Sequence, residues 1–153
     1  MGELTNLQVV MRLVVSVLLS SLIGFERELR GRAAGLRTHI LVGLSSCLLM
    51  LISISVTQNF GEGNVCDPGR IAAGVVTGIG FLCAGTIIRF GASVKGLTTA
   101  ASLWAVAALG LAVGIGFYTA ACTATALILI TLLILTRIEV KISKTKKGTS
   151  ING

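Results

Sequence analysis

Five apolar stretches divide the chain, roughly Leu4 to Phe25, Leu36 to Thr57, Ile71 to Ile88, Thr98 to Ile115 and Phe117 to Thr136, and most polar residues gather between them. Each is close to the ~20 residues an α-helix needs to cross ~30 Å of hydrocarbon. None shows the period of two that a half-buried strand requires. In lipid every backbone N–H and C=O must find its partner within its own segment, so runs of this length predict helices and exclude open sheets. The expected fold class is all-α, a polytopic integral membrane protein with about five transmembrane helices. Hydrophobic residues are 54% of the 153 and charged residues 12%, with a mean hydropathy of +0.92. That leaves no stretch polar enough for a separate soluble domain. The reading is one transmembrane domain, 1–137, and a basic tail, 138–153.

Charge then gives the domain an orientation. Eleven of the thirteen Lys and Arg fall in three segments that five passes put on one side: Arg27, Arg30, Arg32 and Arg37; Arg89 and Lys95; and Arg137, Lys141, Lys144, Lys146 and Lys147. The positive-inside rule assigns that side to the cytoplasm. The N-terminus and the loop from Gln58 to Arg70 then face outward, with Glu3, Glu62 and Asp67 against Arg70. The formal charge of +7 thus describes a stripe against the inner leaflet, and the tail reads as a snorkelling helix end held at anionic lipid or as a solvated extension. Nucleic-acid binding would need a basic patch with base-reading groups on a soluble face, and the chain has none. No basic segment precedes the first apolar run, and that run ends in Gly24-Phe25-Glu26-Arg27 rather than a small-residue cleavage site. The first helix is therefore expected to stay in the mature protein.

Small residues show how the helices pack. Ser16, Ser20 and Gly24 recur every four positions on the first helix, Gly74 and Gly78 on the third, and Gly110 and Gly114 on the fourth, which lets backbones approach closely. Packing inside the chain accounts for most of these stripes, and those left over predict a homodimer. Asp67 with Pro68 after it makes a helix cap at the outer side, beside Arg70. Arg12 is the one charge placed within a helix; it either snorkels outward or partners Asp67. Cys47, Cys83 and Cys122 lie in helices as packing residues, and Cys66 in a loop. No metal spacing emerges.

Read together, the polar blocks carry a family resemblance. Gly24-Phe25-Glu26-Arg27-Glu28, Ala34-Gly35-Leu36-Arg37-Thr38, Asp67-Pro68-Gly69-Arg70, Gly78-Ile79-Gly80-Phe81-Leu82-Cys83-Ala84-Gly85 and Gly96-Leu97-Thr98-Thr99-Ala100-Ala101-Ser102-Leu103-Trp104 closely resemble, in order and spacing, the membrane domain of the MgtC/SapB family. The match covers about Leu13 to Gly116. It looks like a short, SapB-type form without the C-terminal cytoplasmic domain of larger members. One departure stands out: the third-helix block usually reads Gly-Phe-Leu-Gly-Ala-Gly, and its middle glycine is here Cys83, a thiol that either widens the approach or fills a gap. The expected helix-packing positions are Gly24, Gly74, Gly78, Gly80, Cys83, Gly85, Gly110 and Gly114.

The resemblance implies a bacterial-type inner-membrane protein tied to magnesium limitation, whose action is regulatory and restrains membrane energetics, a larger complex such as ATP synthase included. It carries the family's polar positions onto Glu26, Arg27, Arg37, Thr38, Asp67, Arg70, Thr98 and Thr99. Five of these, Glu26, Arg27, Arg37, Thr98 and Thr99, fall at one membrane depth with Arg89 nearby. Charge there is costly unless paired, and Glu26 with Arg37 or Arg89 is the expected pair. The cluster reads either as a small-ion or partner site or as a clamp joining four helices. Two functions follow from it, a regulatory interaction protein or a carrier of a cation such as Mg²⁺. Hard cations need several oxygen ligands, and all six carboxylates lie at or beyond helix ends, which favours the first. No nucleophile and base pair points to an enzyme, His39 reads as a helix-entry hydrogen-bonder, and no cofactor is expected. With the N-terminus outside, a membrane-impermeant maleimide should label Cys66 in intact cells. Labelling only in inverted vesicles would reverse the orientation.

Overall fold

The computed structural model describes residues 4–60 and 67–149, with side chains described over 4–59 and 67–134. Five helices follow one another: α1 (Asn6–Leu29), α2 (Leu36–Phe60), α3 (Gly69–Thr86), α4 (Leu97–Ile115) and α5 (Tyr118–Thr149). The first four are each long and apolar enough to span a bilayer, and α5 is apolar over Tyr118–Ile134. The chain is an all-α polytopic membrane protein, as its apolar runs predict. Cys66 and Glu62 lie outside the described residues, and α5 continues as helix through most of the segment read as a tail.

Local chemistry sets the helix ends. Thr5 starts α1 in a reciprocal capping box: its hydroxyl accepts the Gln8 N–H and the Gln8 side chain accepts the Thr5 N–H. Glu28, at the end of α1, reaches across the turn, and its Oε2 accepts the Leu36 N–H at 2.9 Å, so α1 supplies the cap of α2. Asp67 Oδ1 accepts the Gly69 N–H at 2.7 Å, and the Arg70 N–H bonds the Asp67 carbonyl at 3.2 Å, which starts α3. At the far end of α4, Arg12 Nη1 donates to the Gly114 carbonyl at 2.7 Å. A cation on the orphan carbonyls of a helix C-terminus meets both their hydrogen-bond need and the dipole. Arg12 is therefore a tie between α1 and α4, and the alternative pairing with Asp67 is not formed.

A short antiparallel hairpin, β1 (Ile88–Phe90) and β2 (Ser93–Lys95), joins α3 to α4, with Phe90 opposite Ser93. Its strands of three residues are too short to leave a period in the sequence, and the segment reads there as plain loop. Gly91 has φ 57° at the first position of the two-residue turn, where primed turns place glycine. Gly96, at φ 91°, leads into α4 against the Thr86 carbonyl, and a Cβ there would strike that oxygen.

The core is a three-helix contact of α1, α2 and α4, with α3 and α5 on its flanks. Glycines decide the spacing. A Cβ on Gly110 would meet the Gly43 carbonyl and sit 2.8 Å from Ser46 Cβ; one on Gly114 would sit 2.6 Å from Met50 Cβ; one on Gly24 would sit 2.9 Å from both His39 Cβ and Leu36 Cα. These three packing positions hold helices together as expected, and Gly43, which the sequence reading passed over, holds the same seam from the α2 side. Around them Ile23, Cys47, Val106, Leu109 and Val113 form the main apolar cluster. The α3 glycines behave differently: a Cβ on Gly74, Gly78, Gly80 or Gly85 would meet no other element within 4 Å. Their place as close-contact positions inside the chain is corrected: all four are exposed, Gly74 and Gly78 along an apolar groove that separates α3 from α2. Cys83 does fill the α3–α4 seam: it is buried with Ile79, Ala100 and Leu103, and its Sγ donates to the Ala100 carbonyl at 3.1 Å. The thiol takes the room that the family glycine leaves.

These contacts predict opposite outcomes for two glycines. Gly110→Leu forces α2 and α4 apart and should cost at least about 1–3 kcal/mol, read as a lower melting temperature in detergent. Gly80→Leu, which meets open space, should leave the melting temperature unchanged. Equal losses at both positions would show that α3 packs elsewhere.

Candidate functional site

The end of the bundle where α1 finishes and α2 and α4 begin carries most of the polar positions singled out in the sequence, and the structure sorts them into two shells. Glu26, Arg27 and Thr99 are buried, whereas Arg37, Thr38, Arg89 and Thr98 are exposed. The burial follows from helix phase. Ser16, Ser20, Ile23 and Arg27 share the face of α1 that meets α2 and α4, so Arg27 is carried inward at 1% exposure.

Glu26 does not pair with Arg37 or Arg89. Its carboxylate is ion-paired to Arg30 one turn on, and Arg27 Nη1 lies 3.6 Å from its Oε2. The reason is reach: Arg30 stands at i+4 as the C-cap of the same helix, with 25% of its side chain exposed, where Arg37 points outward and Arg89 Nε is spent on the Gly91 carbonyl of its own hairpin at 3.1 Å. Arg27 Nε and Nη2 have no hydrogen-bond partner among the described residues, so Glu26 is what compensates the buried guanidinium.

Beside this pair is a group that sequence reasoning placed only in part. His39 is fully buried. Its Nδ1 donates to the Gly35 carbonyl at 2.8 Å, the bond expected of a residue at the start of α2. The second bond was not foreseen: Nε2 lies 3.1 Å from Ser102 Oγ on α4, and that hydroxyl donates to the Thr99 carbonyl at 2.9 Å. Glu26 and Arg27 are both within electrostatic range of the ring. The hydrogen bonds therefore link α2 and α4 through His39, Ser102 and Thr99, with the buried Glu26 and Arg27 of α1 beside them. Such an arrangement can hold helix geometry and present Arg37, Thr98 and the basic hairpin outward. Among the described residues no group of three or more His, Cys, Asp and Glu is gathered as a metal would need.

A bundle of long apolar helices with charge sequestered at one end defines a multi-pass membrane protein, and comparison with known proteins makes the class specific. The family model described as the MgtC family matches residues 13–141. The chain belongs to the MgtC family. Protein MgtC of Salmonella typhimurium is 41% identical over 135 residues, 88% of this chain and 55% of that protein. YhiD of Escherichia coli K12, whose given name makes it a candidate magnesium transporter, is 43% identical over 116 residues, 71% of this chain and 52% of that protein. Protein SapB of Bacillus subtilis is 41% identical over 113 residues, 72% of this chain and 49% of that protein. The chain spans about half the length of the curated relatives it matches. No solved structure matches the chain.

Breaking the buried pair should be costly. Glu26→Ala leaves Arg27 uncompensated and should lower stability by about 3–5 kcal/mol, measured by thermal unfolding in detergent. Arg37→Ala and Arg89→Ala, at exposed positions, should stay within about 0.5 kcal/mol of the parent. A Glu26→Ala protein that melts normally would show the pair to be hydrated.

Proposed function

We propose that this protein is a regulatory interaction protein of the bacterial inner (plasma) membrane, acting in adaptation to low magnesium or membrane-energetic stress by binding other membrane proteins rather than by moving a cation. The reading puts the N-terminus outside and the basic end in the cytoplasm, following the charge asymmetry of the loops. The observation that carries it is the fate of the carboxylates. Those with described side chains are each committed to structure: Glu26 to Arg30 and Arg27, Glu28 to the first turn of α2, and Asp67 to the first turn of α3. A hard cation needs several oxygen ligands released from such duties.

The surface supports docking. α3 is mostly exposed, and its open glycines let another helix approach at backbone distance. A second copy of the chain, giving a homodimer, is the simplest occupant, and a larger membrane complex such as ATP synthase is the partner that regulation of membrane energetics requires. Cation transport is the second reading, favoured by the name given to YhiD. Its path would have to use backbone carbonyls near Gly78, Gly80 and Gly85, where α3 is bare.

Purified protein in sealed liposomes containing a Mg²⁺ dye should give no protein-dependent influx, while unbiased cross-linking in native membranes captures a partner through α3. Influx that saturates with Mg²⁺, and is lost in a folded Gly85→Leu protein, would establish transport instead.

A further inference from the structure

α2 and α3 are tied where Ser53 Oγ donates to the Pro68 carbonyl at 2.7 Å, and beyond that tie an apolar groove of about 580 Å³ opens between them. Its walls include Leu41, Ser45 and Leu49 of α2 and Gly74, Gly78 and Leu82 of α3, and Ser45 and Ser46 are the only polar side chains that line it. The groove exists because two glycines leave the α3 wall bare: a Cβ on Gly74 or Gly78 would meet no other element within 4 Å. It runs along residues 41–49 of α2, about 12 Å, and residues 71–82 of α3, about 16 Å, at 1.5 Å per residue. One leaflet of a ~30 Å hydrocarbon core is about 15 Å deep. A helix with side chains, about 10 Å across, would fill roughly twice the available volume over that length. A single hydrocarbon chain matches the depth without overfilling the groove.

The two ends of the groove differ in charge. At the start of α3, Asp67 and Arg70 offset each other. At the other end the groove opens between the first turn of α2 and the hairpin that follows α3. Ala34, two residues before α2, is buried in one cluster with Ile79 and Cys83 of α3, which sets these two ends level. Arg37 stands one turn from Leu41, and Thr38 shares the side of α2 that carries Ser45 and Leu49; both are exposed. The hairpin adds Arg89, oriented by its Nε bond to the Gly91 carbonyl, and Lys95, whose Nζ lies 5.7 Å from the centre of the Phe90 ring. Among the described side chains, the carboxylates at this end are Glu26 and Glu28 of α1, already engaged by Arg30 and by the Leu36 N–H. The mouth is therefore cationic, and the far end is neutral.

We propose that the groove binds an anionic phospholipid of the leaflet that meets the basic end. One acyl chain lies between α2 and α3, and the phosphate sits among Arg37, Thr38, Arg89 and Lys95. Guanidinium groups give charge-assisted hydrogen bonds to phosphate oxygens, and the exposed Ile88 and Phe90 hold the hairpin at the bilayer surface. A zwitterionic headgroup brings a cation of its own to the same place and is disfavoured there. The lipid completes the contact between α2 and α3 that the glycines leave open. Gly80, two residues on from Gly78, lies on the other side of α3, so that side stays free for a protein partner. The inference goes beyond the regulatory reading and holds whichever compartment the basic end faces.

The test titrates full-length protein in detergent with phosphatidylglycerol, or with phosphatidylcholine of the same acyl chains, and counts bound lipid by native mass spectrometry. One phosphatidylglycerol per chain should bind at least about ten-fold more tightly than phosphatidylcholine. Arg37→Gln should weaken phosphatidylglycerol about five-fold and leave phosphatidylcholine unchanged. Gly78→Leu, which places a side chain in the groove, should weaken phosphatidylglycerol at least about ten-fold, whereas Gly80→Leu should not. If Gly78→Leu fails to fold, Arg37→Gln and the headgroup comparison decide alone. Equal affinity for the two lipids, an Arg37→Gln protein with unchanged selectivity, or an equal loss in Gly80→Leu would each overturn the proposal. So would a dimer that Gly78→Leu dissociates while phosphatidylglycerol binding is unmoved, since a second copy would then be the occupant. Mg²⁺ influx into liposomes would refute the regulatory reading yet leave this lipid selectivity standing.

Discussion

Backbone contact between α2 and α4 is the constraint on which the rest of the domain depends. Lipid tails are as apolar as leucine, so helices in a bilayer gain little by hiding side chains from one another and must gain by close fit. Here the fit is made by Gly110 and Gly114 against Gly43, Ser46 and Met50, with Gly24 bringing α1 to the same axis. Ser16 on α1 donates to the Gly43 carbonyl at 2.9 Å, one of few polar bonds at mid-height of the core. Larger residues at these points would separate the helices and open the seam where His39, Ser102 and Arg27 are enclosed.

That enclosure explains why a guanidinium can be tolerated at 1% exposure in an apolar bundle. An isolated charge in hydrocarbon costs several kcal/mol. Arg27 is placed one residue from its carboxylate, and that carboxylate is shared with Arg30, whose side chain reaches solvent. The charge is graded from the interior to the surface along one helical turn. Rigid packing and ionisable chemistry thus occupy the same few residues.

The fold was legible because a bilayer imposes a length and a composition on every crossing, and both are written in the sequence. The hairpin was not, since six residues of mixed character contain no period. The site was half legible. Glu26, Arg27 and Thr99 stand at helix ends where polar residues attract notice, and they are the buried members. Arg37, Thr38, Arg89 and Thr98 stand at similar places and face outward, because depth along a helix axis says nothing about rotation around it. The rotation could have been read from the small residues: His39, Gly43, Ser46 and Ser53 lie along one side of α2, and Thr99, Ser102, Val106 and Gly110 along one side of α4. Those intervals align His39 with Ser102. The bare face of α3 was misplaced for the opposite reason, as glycines at the same spacing mark a close approach without saying whether its partner is in the chain.

The tie between Arg12 and the Gly114 carbonyl spans 102 positions of sequence, and it bears on how the protein is made. Arg12 enters the membrane with the first helix, long before the ribosome reaches the carbonyl that receives it. At about 5–20 residues per second the delay is about 5–20 s. During that time α1 carries a cation in a segment meant for lipid, without the bond that justifies it. The helix must wait at the insertion machinery or keep Arg12 turned to the water until α4 emerges. The order of synthesis thereby leaves this tie between the first helix and the fourth to be made only after α4 has emerged.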